Sequence, residues 1–470
     1  MHSGRSKCDY CESIIILFFL LLYLAGANAN SSLDAWAYAA EVSSGTELFQ
    51  PHHLLYSFVS FLWTSLVKVF FDIDVLVALK GLNAIFGASI LLVLSKLLNK
   101  ARSDRKLNLL LLFFAGSCWG FMRYSTENET YILPIFFSLL GSYLLVKESK
   151  IKYVFWAGFF AALATLFHQV MFFWWLGLLL GVMLRQRLKG IILFTLPALI
   201  VPLVYSTVVF FKYGKLSIDL LLQFVFYDYY NGTASIELGA KSGMLFIIGI
   251  CRSFIQVHGY IFNLLNENYW YWFVAIGSIL AVCSGLAIIT LRMRYLSISK
   301  PHLLWIYSFI TLSHLGFAML AGGNSEFMVM LPILATIVIA CFKNISKTAV
   351  GIAALGVLMW NIGFGIIPLK YKKLDGSSMI VNHIEFNSSE KSAYILFNSH
   401  RIKNELHYKN INSQATLIKL EELEQQVVRD SINYLLDNGY CVYTDALRRP
   451  KTISRESITI DRDKYIEVLN

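Results

Sequence analysis

Charge is scarce in this chain: Asp, Glu, Lys and Arg make up 15% of its 470 residues, against about 25% in an ordinary soluble domain. With 57% of the residues hydrophobic, one soluble globule is excluded, because that much apolar surface does not fit inside a single core. Cysteine is sparse as well. There are seven, and Cys118, Cys251, Cys283 and Cys341 fall in or beside apolar runs, so no disulfide framework is implied. Cys8 and Cys11 make a single CxxC, which lacks the second half of a zinc site. The polar tail contains neither GxGxxG nor a P-loop, which excludes those nucleotide chemistries there. A basic stripe is also missing. The net charge of +10 is spread over small clusters between apolar runs, which excludes a nucleic-acid surface and reads as topology signals.

What the chain has is a succession of apolar runs near the length needed to cross a hydrocarbon core of about 30 Å. The first, 13–29, follows Arg5 and Lys7, and its end, Ala27-Asn28-Ala29, also fits a signal-peptidase site. Ten further runs, 75–98, 107–122, 131–146, 153–167, 170–184, 191–211, 269–291, 303–320, 327–342 and 350–369, predict about eleven transmembrane helices in an α-helical polytopic membrane protein. Two apolar segments, 53–71 with Lys68 and 244–265 with Arg252 and His258, read as interfacial helices in outer loops. Leaving these two out of the crossing count makes the basic clusters alternate cleanly. Those at 96–106, 147–152, 185–189, 292–300 and 343–347 then fall on the cytosolic side. The first loop, the second at 123–130, His168-Gln169, the stretch 212–268, the stretch 321–326 and the C-terminal tail fall outside.

The chain divides at about residue 370 into a membrane part, 1–369, and a tail, 370–470, that is polar with mixed charge. In the tail, 393–397, 415–420 and 441–444 read as strands. Leu423, Val427, Val428, Ile432, Leu435 and Leu436 recur at helical spacing before Asn438-Gly439. Strand, helix, strand predicts a small α/β domain with parallel pairing.

Ionisable groups near lipid are costly and call for a reason. Here they gather at the outer ends of the apolar runs. The first outer loop carries Asp34, Tyr38 and Glu41 at helical spacing, then Pro51-His52-His53-Leu54-Leu55-Tyr56. The second carries Arg123, Glu127, Glu129 and Tyr131. His168 and Gln169 form the third connection, and Asn324 with Glu326 the last. This pattern resembles the GT-C superfamily of membrane glycosyltransferases, which includes the protein O-mannosyltransferases and the lipid A aminoarabinose transferase. The resemblance lies in Asp34 followed by Tyr38, the Pro51 to Tyr56 element leading an interfacial helix, and Glu129-Thr130-Tyr131 at the head of a span. His52-His53-Leu54-Leu55 departs from the His-Pro-Leu or Pro-Pro of many members.

The resemblance implies a polyprenyl-phosphate-linked sugar as donor and transfer to a lipid, glycan or protein acceptor at the non-cytosolic face. The protein would sit in a bacterial inner (plasma) membrane, or in the ER membrane of a eukaryote. Asp34 would be the general base, with Glu129 as its catalytic companion. Arg123, Lys212, Lys215 or Arg252 would hold the departing phosphate. Tyr38, Glu41, His52, His53, Glu127, Tyr131, His168, Gln169, Asn324 and Glu326 would bind substrate. No cofactor is required by the sequence. A divalent metal finds no support, because adjacent histidines such as His52 and His53 point apart on a helix.

Blander readings stand beside these. Asp34 serves equally as a helix cap, Glu127 and Glu129 as solvated loop charges, His168-Gln169 as a tight-turn cap, and Arg252 as a snorkelling side chain. Trp174, Trp175, Trp270 and Trp272 read as an interfacial belt. Asn30, Asn128, Asn231, Asn344 and Asn387 each open an Asn-x-Ser/Thr triplet. A secondary transporter, for which Lys80 inside a span is the best evidence, and a glycan polymerase or ligase of another membrane fold are the competing functions.

Overall fold

The computed structural model describes residues 2–147, 150–232, 234, 236, 239–374, 376–387, 391–397, 399–420 and 425–445, with the side chains of residues 2–9 and 425 left aside. Cys8 of the CxxC and Leu423 of the tail helix pattern lie outside the described side chains.

The chain is an α-helical polytopic membrane protein, but about eleven crossings is too many. Five helices are long and apolar enough to cross: Val75–Ala101, Leu188–Tyr213, Trp270–Tyr295, Pro301–Leu320 and Lys347–Tyr371. A sixth is formed if Arg105–Ser117 and Trp119–Ser125, bent by 64° at Cys118, count as one broken span. The other apolar runs form the shorter helices Tyr10–Ala25, Ile132–Lys147, Ile151–Phe167, Gln169–Met183 and Ser325–Ala340, of 10–17 residues. At 1.5 Å per residue the longest of these reaches only about 25 Å. Hydropathy alone does not separate an apolar helix packed against protein from one packed against lipid, and several of these are packed against protein. Ile132, Leu133, Ile135 and Leu139 are fully buried, as are Ala157, Ala164, Met171 and Trp174. Trp174 is therefore a core residue and not part of a belt, and its indole N–H donates to Ser142 Oγ at 2.9 Å.

The basic clusters at 96–106, 292–300 and 343–347 meet at one end of the long helices. Arg102 donates to the carbonyl of Phe342, Lys347 pairs with Asp104 at 3.0 Å, and Arg105 lies 3.8 Å from Glu12. The opposite end of Val75–Ala101, capped by Asp74, is about 40 Å away at 27 residues. Asp34 and the tail are at that end.

In the tail, Ser392–Leu396 is the centre of a three-stranded parallel sheet, flanked by Thr416–Lys419 and Cys441–Thr444. Its five residues are all buried, as a strand covered on both faces must be. Helix Gln425–Asp437 lies between the two flanking strands in sequence, and helices Ser377–Phe386 and Ser399–Tyr408 complete the tail. The last of these docks on the membrane part. Tyr408 donates to Asp74 Oδ2 at 2.7 Å and accepts from Leu76 N at 3.2 Å, while Asn404 donates to the carbonyl of Leu33 at 3.2 Å. The tail thus holds the residue next to Asp34.

Candidate active site

Helix Leu33–Ser44 places Asp34 in its first turn. Ser32 caps it, accepting from Ala35 N, and Gly45 ends it in the left-handed region at φ 68°. The same Ser32 hydroxyl donates to Glu129 Oε1 at 2.5 Å, so one side chain ties the first outer loop to the second. Asp34 is therefore not the cap.

The second loop is buried outright: Thr126 to Thr130 are each exposed by 4% or less. A loop inside a protein must have its backbone groups satisfied, and here side chains do so. Asn83 donates to the carbonyls of Glu127 and Glu129, both at 2.7 Å. Asn128 donates to the carbonyl of Ala35 at 2.8 Å and accepts from Tyr56 at 2.6 Å, which removes its Asn-x-Thr triplet from any modifying enzyme. Glu127 accepts from Asn28 and from Asn128 N and lies 3.5 Å from Lys80 Nζ. Lys80 also donates to the carbonyl of Asn28 at 2.5 Å and to Ser31 at 2.6 Å. Lys80 and Glu127 therefore brace the loops as a buried pair, which leaves the transporter reading without its best residue.

The carboxylates that remain are Asp34, Glu129 and Glu326, and they lie in each other's fields. Burial, then the charge of Glu326, raises the Asp34 carboxyl to about 6. Burial, then Asp34 and Glu326, raises Glu129. Asp34 has no hydrogen-bond partner among the described residues, so its oxygens are available to a substrate.

Beside the acids stand two arginines. Arg123 lies in the field of Glu326 and Glu129. Arg252 is pulled down to about 10 by burial and by the charge of Arg123. Neither guanidinium has a hydrogen-bond or ion-pair partner among the described residues; Arg123 only rests on the Tyr124 ring, 5.5 Å from its centroid. Their neighbourhood depends on glycine. A Cβ at Gly120 would stand 3.1 Å from the carbonyl oxygen of Ser253, and one at Gly323 2.5 Å from Phe246 N and 2.6 Å from the carbonyl oxygen of Ser242. Helix Ala240–Phe254 thereby meets both the arginine-bearing turn and the Glu326 loop. Asn361 closes the junction, donating to the carbonyls of Ser117 (2.7 Å) and Phe254 (2.9 Å) and accepting from Gln256 N (2.8 Å). Gly323 also has φ +73°, so Gly323→Ala meets both backbone strain of about 1–3 kcal/mol and contact with atoms that cannot move aside. Its expected result is a lowered thermal unfolding midpoint, measured on purified protein.

The other expected site residues fall in two groups. Tyr38 donates to or accepts from His53 Nε2 at 2.9 Å, and His53 is held near 3 by burial and by His52. The His168 ring lies tilted against Tyr131 at 4.7 Å and 5.1 Å from His53, beside the acids. Glu41 is pushed by burial to about 7 but is engaged by Gln50 and Ser57, both at 2.7 Å. His52 contacts Asp228 at 3.1 Å. Gln169 is a staple, donating to Pro51 O, Tyr205 Oη and Val225 O. Lys212 pairs with Glu47 at 2.8 Å, and Lys215 is exposed. Asn324 caps the turn of Glu326, accepting from its N–H at 3.1 Å. Sequence reasoning missed Ser32, Asn83, His314 and Asn361. The last three were signalled only as single polar residues inside apolar runs. No group of three or more metal-ligating side chains occurs among the described residues.

No protein-family model matches the chain, and no curated protein matches it. Solved structures do. The archaeal oligosaccharyltransferase AglB from Archaeoglobus fulgidus, in complex with an inhibitory peptide and a dolichol-phosphate, is 12% identical over 93% of this chain and 70% of that one, with a TM-score of 0.53. ArnT from Cupriavidus metallidurans, bound to undecaprenyl phosphate, is 10% identical over 86% and 85%, with a TM-score of 0.51. The chain shares the fold of these two structures. The match to the S. cerevisiae protein O-mannosyltransferase Pmt1-Pmt2 complex is partial, 14% identical over 50% of this chain and 35% of that chain at a TM-score of 0.36, so the chain spans about a third of that relative. What this fold supplies here is a helical frame that carries Asp34, Glu129, Glu326 and the two arginines in one electrostatic cluster.

Proposed function

We propose that the chain is a glycosyltransferase that moves a sugar from a polyprenyl-phosphate-linked donor to an acceptor hydroxyl or comparable nucleophile at the non-cytosolic face of its membrane. One observation carries the reading: a carboxyl raised to about 6 lies in one electrostatic cluster, through Glu326, with two guanidinium groups, none of the three having a hydrogen-bond partner among the described residues. That is a base beside an anion site. The lipid phosphates held by the A. fulgidus and C. metallidurans proteins are the same kind of anion. The collected basic clusters at the far end of the long helices support the sidedness.

In the reaction, the acceptor oxygen attacks the anomeric carbon of the donor. The acceptor proton passes to Asp34, and the bond from that carbon to the phosphate oxygen breaks. The electron pair leaves on polyprenyl phosphate, whose growing charge Arg123 and Arg252 neutralise. Burial, and then the charge of Glu326, keep the base only weakly acidic. A base must be deprotonated to work, so activity rises with pH through about 6, the raised value of Asp34, instead of through the usual carboxylate range near 4. The assay is transfer of labelled sugar from polyprenyl phosphate in membranes. An acidic limb of kcat/KM centred near 4 would remove the environment assigned to Asp34, and no transfer from any sugar-bearing polyprenyl phosphate would remove the function.

A further inference from the structure

Three buried nitrogen atoms near this site have no hydrogen-bond partner among the described residues: Nε2 of His168 and both ring nitrogens of His314. His168 is 4% exposed and His314 0%. A buried polar atom left unpaired is costly, so three together need an explanation. His168 uses Nδ1 to accept from Val170 N at 3.3 Å. In a neutral ring that acceptor fixes the proton on Nε2, and burial, followed by the charges of the other histidines, holds the ring below the usual histidine range. His168 therefore presents one orphan N–H. His314, in helix Pro301–Leu320, presents one donor and one acceptor.

The two imidazoles are joined by aromatic rings. His168 lies 6.4 Å from Phe327, Phe327 4.8 Å from Phe317, Phe317 5.5 Å from Phe173 and Phe173 5.8 Å from His314. The His168 ring also lies tilted against Tyr131, 4.7 Å away, which is in the fields of Glu326 and Glu129. The cluster thus reaches from the acids into the helix layer.

The chemistry narrows the ligand. A phosphate or carboxylate calls for cationic partners, and a buried imidazolium is costly. A cation is opposed by the His168 N–H. An isoprene chain leaves all three nitrogens unsatisfied. A sugar ring has hydroxyls that both donate and accept, and C–H faces that suit aromatic walls. We propose that His168 and His314 form the subsite that holds the sugar ring of the lipid-linked donor. This rests on the glycosyltransferase reading and adds to it the place where the sugar is recognised.

The test measures binding of the full-length protein, in nanodiscs, to a polyprenyl monophosphate and to its hexose-, N-acetylhexosamine- and pentose-bearing forms. Wild type should bind one sugar-bearing form more tightly than the bare lipid. His168→Asn keeps an acceptor near Nδ1 for Val170 but removes the Nε2 donor, and His314→Leu removes both nitrogens at similar volume. Each should lower affinity for the preferred sugar-bearing lipid about tenfold, the weight of one good buried hydrogen bond, and leave bare polyprenyl phosphate within about twofold. His168→Gln, which restores a donor near Nε2, should recover part of the loss. Equal losses for both lipids would reduce the two residues to packing. Unchanged selectivity would mean that the nitrogens hold ordered water only, and either result overturns the subsite. Wild type that binds all forms equally overturns the subsite and leaves the function standing, whereas wild type that binds none overturns both.

Discussion

Replacing Asp34 with Asn is expected to lower sugar transfer by about 10²–10⁴-fold, the usual contribution of a general base, with expression and donor binding nearly unchanged. The substitution keeps shape and hydrogen-bonding capacity and removes only the ability to take a proton. The environment argues that little else is lost, because Asp34 holds no other side chain in place among the described residues and the helix start is secured by Ser32. Removing a carboxylate from the field of Glu326 and Glu129 also relieves repulsion, so the unfolding midpoint should stay level or rise. Glu129→Gln behaves differently. Glu129 accepts from Ser32 at 2.5 Å, so it also aligns the two loops, and its loss should show in KM as well as kcat. The measurement is labelled transfer from polyprenyl phosphate at matched protein amounts, with the exposed Lys215→Gln as control. Wild-type transfer by Asp34→Asn would falsify the base assignment.

The second large effect belongs to the arginines. Arg123→Gln and Arg252→Gln should each lower kcat/KM by about 10²–10³-fold, the cost of removing one preorganised donor from a developing negative charge. The double variant should fall short of the product of the two, since both act on one leaving group. Their effect on stability should have the opposite sign from that of a structural ion pair. Two guanidinium groups without partners among the described residues repel each other, and burial, then the charge of Arg123, draws the Arg252 guanidinium down to about 10. Removing either should leave the thermal midpoint unchanged or raise it, a signature of residues kept for function at a cost in stability. Polyprenyl phosphate added to wild type should raise the midpoint, and this shift should shrink in both variants. A variant that loses stability and keeps its lipid response would mark that arginine as structural.

What was legible in the sequence follows from what a linear pattern can carry. The membrane character was plain from composition and run length. So was the concentration of acids at the ends of runs, because a charge at the edge of an apolar segment is conspicuous. The crossing number was not, since a run of 16 apolar residues looks the same whether its sides meet lipid or other helices. Ile132–Lys147 and Ile151–Phe167 meet other helices. The break at Cys118 left no proline or glycine signal at that residue, and the carbonyl it frees at Ser117 is answered by Asn361 from far along the chain. The division of labour between Glu127 and Glu129, two residues apart in one loop, was equally hidden. Only the fold shows that Lys80 neutralises the first while the second faces Asp34. In the tail, helix Ser399–Tyr408 left little pattern because Ile402 and Leu406 are its only aliphatic side chains. The arginine pair depends on Gly120 and Gly323 permitting close backbone approach, which no local spacing records.

The three bonds of Asn361 also set an order of assembly. Its partners, Ser117, Phe254 and Gln256, precede it by 244, 107 and 105 residues. A chain emerging from the ribosome inserts the bent segment after Arg105 and the helix bearing Arg252 long before residue 361 exists. Until then the carbonyl freed at the bend and the end of that helix have no answer from Asn361, and the two arginines have nothing to lock them side by side. The proposed anion site is thus finished by Lys347–Tyr371, the last of the long apolar helices among the described residues. Nascent chains stalled before it should insert in the membrane yet be unable to capture lipid phosphate, so that an incomplete product cannot tie up the donor.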